Sequence, residues 1–184
     1  YDQAEQDYHD GKMEENGKRA FELSQISKLA TEKPNLLPYK HLVTLSQSKN
    51  SINEIIEALK RTGEANEIDK DKLIRRVDCI KEWIKNYAPE SVIFEIQKRK
   101  PEIGFDDTEI KSTNLLSDKF KEIKWTPEMI HNSFYELQEE SEIPAKRFFK
   151  VVYNAILGKD RGPRLGFFLA TMDKNFIIER LDSY

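Results

Sequence analysis

Apolar residues recur at helical spacing along most of the chain. Ile52, Ile55, Ile56 and Leu59 share one helical face, Ser51 and Glu54 have the capping-box spacing that opens it, and Gly63 closes it. From Asp69, the positions Leu73, Val77, Ile80 and Ile84 form a second stripe, with Trp83 and Tyr87 beside it and Pro89 as its stop. This should be the longest helix. Upstream, a helix is expected over Gly17 to Ala30. A loop bracketed by Pro34 and Pro38 follows, and Leu42, Val43 and Leu45 then mark a brief buried helix with Pro38 near its first turn.

The second half repeats the pattern. Leu115, Leu116 and Phe120 line one helix, and Thr126-Pro127-Glu128 opens another whose Ile130, Phe134 and Leu137 face inward. A further helix begins at Pro144, with Phe148, Phe149, Val152 and Ile156 at core spacing, and ends at Gly158, where a positive φ is cheap. Two short helices finish the chain, Pro163 to Thr171 and Asp173 to about Leu181. No stretch sustains the two-residue alternation of a half-buried strand, so the fold class is all-α, a helical bundle. The stretch Pro101 to Thr113, with Gly104, Asp106 and Asp107, reads as the loop between two packed helical subdomains, 1–105 and 106–184.

Composition narrows the class. The 184 residues are 38% hydrophobic and 34% charged, with seven Gly and seven Pro, a balance that folds rather than stays disordered. No apolar run approaches the roughly 20 residues of a membrane helix, and Tyr1 to Asp10 are too polar for a signal peptide. Cys79 is the single cysteine and cannot form an internal disulfide, which favours the cytoplasm. The net charge of −3 gives no general attraction for polyanions. Its distribution is uneven: Lys146, Arg147, Lys150, Lys159, Arg161 and Arg164 face the single acid Asp160 between Ala145 and Leu165, just after an acidic cluster of Glu136, Glu139, Glu140 and Glu142. Such a patch is either a solvated helix face or a selective contact for one polyanion.

Catalytic chemistry is not visible. His9, His41 and His131 have no metal-like spacing to one another or to Cys79, so no metal site is expected. Gly162 and Gly166 lack the lysine-bearing pattern of a phosphate loop, and Cys79, near an apolar stripe, is expected to be a small core residue. The run Tyr153 to Gly166 does stand out, because it packs a helix end, a basic turn and a helix start into fourteen residues. It is an ordinary helix hairpin, or a joint where free backbone N–H groups, cations and an aromatic ring hold an unstacked RNA base.

That tail, Leu157-Gly158-Lys159-Asp160-Arg161-Gly162-Pro163-Arg164-Leu165-Gly166 followed by Phe176-Ile177-Ile178-Glu179-Arg180-Leu181, resembles the C-terminal signature of class I lysyl-tRNA synthetases. Leu37-Pro38-Tyr39-Lys40-His41 is similar to that family's proline-aromatic-basic helix start, and Tyr1-Asp2-Gln3-Ala4-Glu5 to the segment after its catalytic domain. Glutamyl-tRNA synthetases carry a looser version of the tail.

The resemblance implies an α-helix cage over 106–184 that grips the anticodon of lysine tRNA, with 1–105 on the side of the tRNA stem. It implies an RNA-binding fragment without catalytic residues or cofactor, whose parent ligates lysine to tRNA with ATP in a separate catalytic domain. The family's ATP-binding signatures are missing, and Lys12-Met13-Glu14 is a poor match to one of them. Carried over, the resemblance makes Tyr153 a base contact and Gly162, Pro163, Arg164 and Leu165 a pocket wall. Lys159 and Arg161 become phosphate contacts, and Tyr39 and Lys40 the opposite wall. Where the family has a Gly between the last two helices, this chain has Met172-Asp173, and Asp tolerates a left-handed backbone at such a turn better than most residues. The competing readings are the anticodon domain of a glutamyl-tRNA synthetase and a helical protein-interaction module.

Overall fold

The computed structural model of the protein describes residues 2–25, 37–63 and 68–184. Among these residues every regular element is a helix, as the missing strand alternation implied. Two compact units meet between His41 and Leu42.

In the first unit, α1 (Asp2–His9) and α2 (Glu15–Leu23) are joined through a turn where Gly11 takes φ 67°. Phe21 is buried with its ring 5.0 Å from that of Tyr8, and the Tyr8 hydroxyl donates to Glu22 Oε1 at 2.9 Å. The helix expected from Gly17 thus opens slightly earlier. Ser24 follows its last turn, its hydroxyl donating to Phe21 O at 2.7 Å, while Ala30 and Pro34 lie outside the described residues. The start of α3 (Tyr39–Ser48) belongs to this unit.

In the second unit, α4 (Ile52–Arg61) is capped as expected, Ser51 Oγ accepting the Glu54 N–H at 3.2 Å. The longest described helix is α5 (Lys70–Asn86), which buries Leu73, Val77 and Ile80. Cys79 is exposed, correcting the expectation of a core thiol. Lying two residues past Val77, it is turned about 200° away from that residue, toward water.

The main core is built by α6 (Asp107–Glu122), α7 (Pro127–Glu136), α8 (Gln138–Ser141), α9 (Ala145–Leu157), α10 (Leu165–Ala170) and α11 (Lys174–Asp182). Phe120, Phe134, Phe148 and Phe168 are fully buried in it, and Phe134 and Phe148 meet edge to face at 5.2 Å. The loop expected over Pro101–Thr113 is shorter: Asp106 and Glu109 form a complete capping box, so α6 begins at Asp107. Residues 105 and 106 lie inside this unit, and Phe94 and Ile96 ahead of them pack on the same core. Asp173 is not left-handed. With φ −67° it is the N-cap of α11, its carboxylate accepting the Phe176 N–H at 2.9 Å.

Between α5 and α6 the chain crosses the unit without regular structure, so its peptide groups need partners from elsewhere. The Gln47 amide accepts from Phe94 N–H at 3.0 Å and donates to Val92 O at 3.3 Å, while Gln97 N–H donates to Ile156 O at 2.9 Å. Arg180 is 6% exposed, and its guanidinium donates to Ala155 O at 2.9 Å, Gln97 O at 2.7 Å and Lys98 O at 3.2 Å. Burial pushes its pKa down. At the far end of α10, Lys49 and Arg61 donate to Thr171 O at 2.5 and 2.9 Å, placing two cations at the negative end of a helix.

Arg180→Leu is expected to lower the urea-unfolding free energy by roughly 3 kcal/mol or more, since each orphaned buried acceptor costs about 1–3 kcal/mol. Unchanged stability would show that the three bonds contribute nothing.

Candidate nucleic-acid interface

The basic turn joins α9 to α10. Gly158 ends α9 in the left-handed region, φ 65°, with its N–H on Asn154 O at 2.9 Å. A glycine enters this region without a Cβ penalty. Gly162 is needed for a different reason. A Cβ there would stand 2.7 Å from Leu157 Cδ1 and 3.0 Å from the Tyr153 ring. The turn therefore lies directly on that ring, and the Tyr153 hydroxyl donates to Pro163 O at 2.6 Å. Tyr153 is half-buried and burial raises its pKa, so it stays a neutral phenol that clamps the turn.

The other candidates separate by burial. Lys159, Arg161, Gly162 and Arg164 are exposed and Pro163 is half-buried. Leu165 is 4% exposed, so its side chain belongs to the core and only its backbone stands at the start of α10. The Lys159 ammonium donates to Ile93 O at 2.9 Å, tying the turn to the crossing segment. The Arg164 side chain makes no hydrogen bond or ion pair among the described residues and does not cap α10. Tyr39 and Lys40 stand exposed at the start of α3, in the first unit.

Beside the turn is an open cleft of about 680 Å³ lined by Pro144, Lys146, Arg147, Lys150, Asp160 and Arg161. Asp160 sits within it, accepting from Asn154 Nδ2 at 3.0 Å and pairing with Lys150 at 2.9 Å. Those two bonds, with the charges of Lys150 and Arg161, hold its carboxyl below the usual range. Arg147 is bound to Asp106 and Glu109 at the N-terminus of α6. Lys146, Arg147 and Lys150 belong to the basic run read from the sequence but were not among the candidate contacts. Their signal was spacing, since Lys146 and Lys150 are one helical turn apart on α9.

Gly166 is the last glycine of the motif. A Cβ on it would sit 2.5 Å from Pro127 O and 3.2 Å from His131 Cβ. It is what lets α10 pack against α7, and with that the whole motif has a place.

A family model described as an anticodon binding domain matches residues 98–184. The chain is also similar to proteins named lysine--tRNA ligase. It is 30% identical to that of Picrophilus torridus over 174 residues, covering 95% of this chain and 34% of the relative. With that of Thermococcus kodakarensis it shares 34% identity over 175 residues, covering 91% and 33%. With that of Borreliella burgdorferi it shares 34% over 162 residues, covering 83% and 29%. The chain thus spans about a third of the length of the curated relatives it matches. Among the described residues no helix is long and apolar enough to cross a membrane, and no three His, Cys, Asp or Glu side chains are grouped to hold a metal ion.

Two measurements check this geometry. Tyr153→Phe is expected to cost roughly 0.5–1.5 kcal/mol for the lost hydrogen bond, and Gly162→Ala more, because its methyl must push the ring or Leu157 aside. Equal stability of Gly162→Ala and the parent would contradict the close approach. The second concerns acid. The Asp106 carboxyl is held down to about 2 by the Thr108 hydroxyl, the Glu109 N–H and Arg147. A depressed native pKa stabilises the fold above the unfolded value and loses that contribution as pH falls through the native one. Asp106→Asn keeps a capping side chain without the charge. Its Tm is expected to fall below the parent's at neutral pH, with the gap closing as pH drops from the ordinary value of 3.8 to about 2. A gap that persists at pH 2 would contradict the assignment.

Proposed function

We propose that this chain is the anticodon-binding part of a class I lysyl-tRNA synthetase, acting in the cytoplasm on lysine tRNA while a separate catalytic domain activates lysine with ATP. The observation that carries this reading is the coincidence of the matched domain, residues 98–184, with an exposed basic turn held on a rigid core. Similarity to proteins named lysine--tRNA ligase, over about a third of their length, supports the identity of the tRNA and the longer parent. In this chain no residue is assigned to catalysis and no cofactor is needed.

The geometry supports a division of labour. Arg164, exposed beside Pro163 and the start of α10, reads base edges with the backbone of Gly162 and Pro163. Arg161 and Lys159 hold phosphates, Lys159 with the ammonium donors that Ile93 O does not take. Tyr153 fixes the turn and offers its remaining ring edge to a base. Tyr39 and Lys40 contribute a second basic-aromatic contact on the RNA. Discrimination among bases comes from donors and acceptors that a wrong base leaves unpaired, each worth roughly 1–3 kcal/mol.

Filter binding with lysine tRNA and an anticodon-substituted version tests the reading. Tighter binding of the first is expected, with Arg164→Ala lowering affinity and narrowing the difference. Arg161→Ala is expected to weaken both tRNAs alike and to reduce the slope of log K against log salt by about 1. Equal affinity of the parent chain for both tRNAs would sink it.

A further inference from the structure

Three aromatic side chains outside the turn form one surface where α7 meets α9. His131 and Tyr135, four residues apart on α7, have ring centroids 5.2 Å apart. Phe149 of α9 stacks on His131 at 6.0 Å with the planes 14° from parallel, and meets Tyr135 edge-on at 6.0 Å. Beneath them Phe134 is 4.7 Å from Phe149. Core packing accounts for the inner edge of Phe149. It does not account for Tyr135, which is 53% exposed and whose hydroxyl makes no hydrogen bond among the described residues.

The cluster continues the basic turn. His131 backs onto Gly166, and Tyr153 lies one turn beyond Phe149 on α9. Lys146 and Lys150 run parallel to Phe149 and Tyr153 on the same helix, and with Arg161 they line the open 680 Å³ cleft. Side by side, α9 thus offers an aromatic edge and a cationic edge. Single-stranded nucleic acid has the matching pair of properties, since its bases carry π-faces and its backbone a negative charge at every residue. On α9 the neighbours of Phe149 include Lys146 and Lys150 beside Ala145 and Val152, so the ring stands next to positive charge, which suits a polyanion.

We propose that His131, Tyr135 and Phe149 form a stacking platform for one unpaired RNA base, and that the cleft bearing Lys146 and Arg161 takes the phosphate of the same strand. The inference rests on the RNA-binding reading above and extends it to a second site, reached across α9 from the turn. Stacking is indifferent to base identity. The platform therefore adds affinity without choosing among anticodons, in contrast to Arg164.

The test titrates unmodified lysine tRNA and an anticodon-substituted tRNA against the 184-residue chain and three variants. Tyr135→Leu removes the π-face while keeping apolar bulk, Tyr135→Trp keeps a π-face, and Lys146→Ala removes one cation. Tyr135→Leu is expected to weaken both tRNAs by the same factor, roughly five- to hundredfold. Tyr135→Trp should bind like the parent, and Lys146→Ala should lower the salt slope by about 1. Circular dichroism confirms that each variant is folded. If Tyr135→Leu binds like a parent that still separates the two tRNAs, the platform is overturned and the turn stands. Equal losses in Tyr135→Leu and Tyr135→Trp also overturn it, because they indicate local packing rather than a ring face. An unchanged salt slope in Lys146→Ala overturns the phosphate half. A parent chain that binds neither tRNA overturns this inference together with the reading beneath it.

Discussion

A guanidinium taken out of water has to find oxygens, and the one on Arg180 finds three carbonyls instead of a carboxylate. That choice organises the second unit. Ala155 O is near the end of α9, Gln97 O and Lys98 O are in the crossing segment, and Arg180 itself is on α11. One side chain therefore joins three parts of the chain that are far apart in sequence. It does so at the end of α9, one turn below the point where the basic turn departs. Losing it would leave a desolvated backbone without partners, which is costlier than losing an exposed ion pair.

The turn inherits that rigidity through short-range contacts. Gly158 supplies the positive φ, Gly162 the close approach to Tyr153, the Tyr153 hydroxyl a bond to Pro163 O, and Lys159 a bond to Ile93 O. A loop held this way has little freedom left to lose, so in the proposed RNA complex more of each contact would appear as affinity. The same reasoning explains why a tyrosine serves here and a phenylalanine would not. The ring fills the space under the glycine, and the hydroxyl fixes where the turn crosses it.

Much of this was legible in the sequence, and what was missed has physical causes. Helices with local signals were readable: Ser51 and Thr126 cap α4 and α7, and Gly158 ends α9, because capping and positive φ are decided within a few residues. Asp106 was misread as loop because aspartate suits both loops and N-caps, and only the reciprocal bond with Glu109 decides between them. Cys79 was misplaced because lying near an apolar stripe is not the same as lying on it. Leu165 and Gly166 were legible as part of a motif but not as core and packing residues, since neither α7 nor the depth of α10 is written in those ten positions. The crossing segment and the Arg180 bonds were out of reach, because they depend on contacts between 25 and 83 residues apart in sequence.

The distribution of charge completes the picture. The chain carries a net charge of −3, yet its cleft lining sets Lys146, Arg147, Lys150 and Arg161 against Asp160 alone. Two of those cations are already committed, Arg147 to the cap of α6 and Lys150 to Asp160. They give the cleft its shape, and their carboxylate partners temper its potential. Lys146, Lys159, Arg161 and Arg164, which have no ion pair among the described residues, are then separate points of attraction on a molecule of net negative charge. Long-range attraction for any polyanion is weak under these conditions, and screening within about 10 Å at ordinary salt weakens it further. The proposed binding would therefore need a partner that reaches several of these points at once, and an RNA loop with unstacked bases has that shape, whereas a uniform duplex does not.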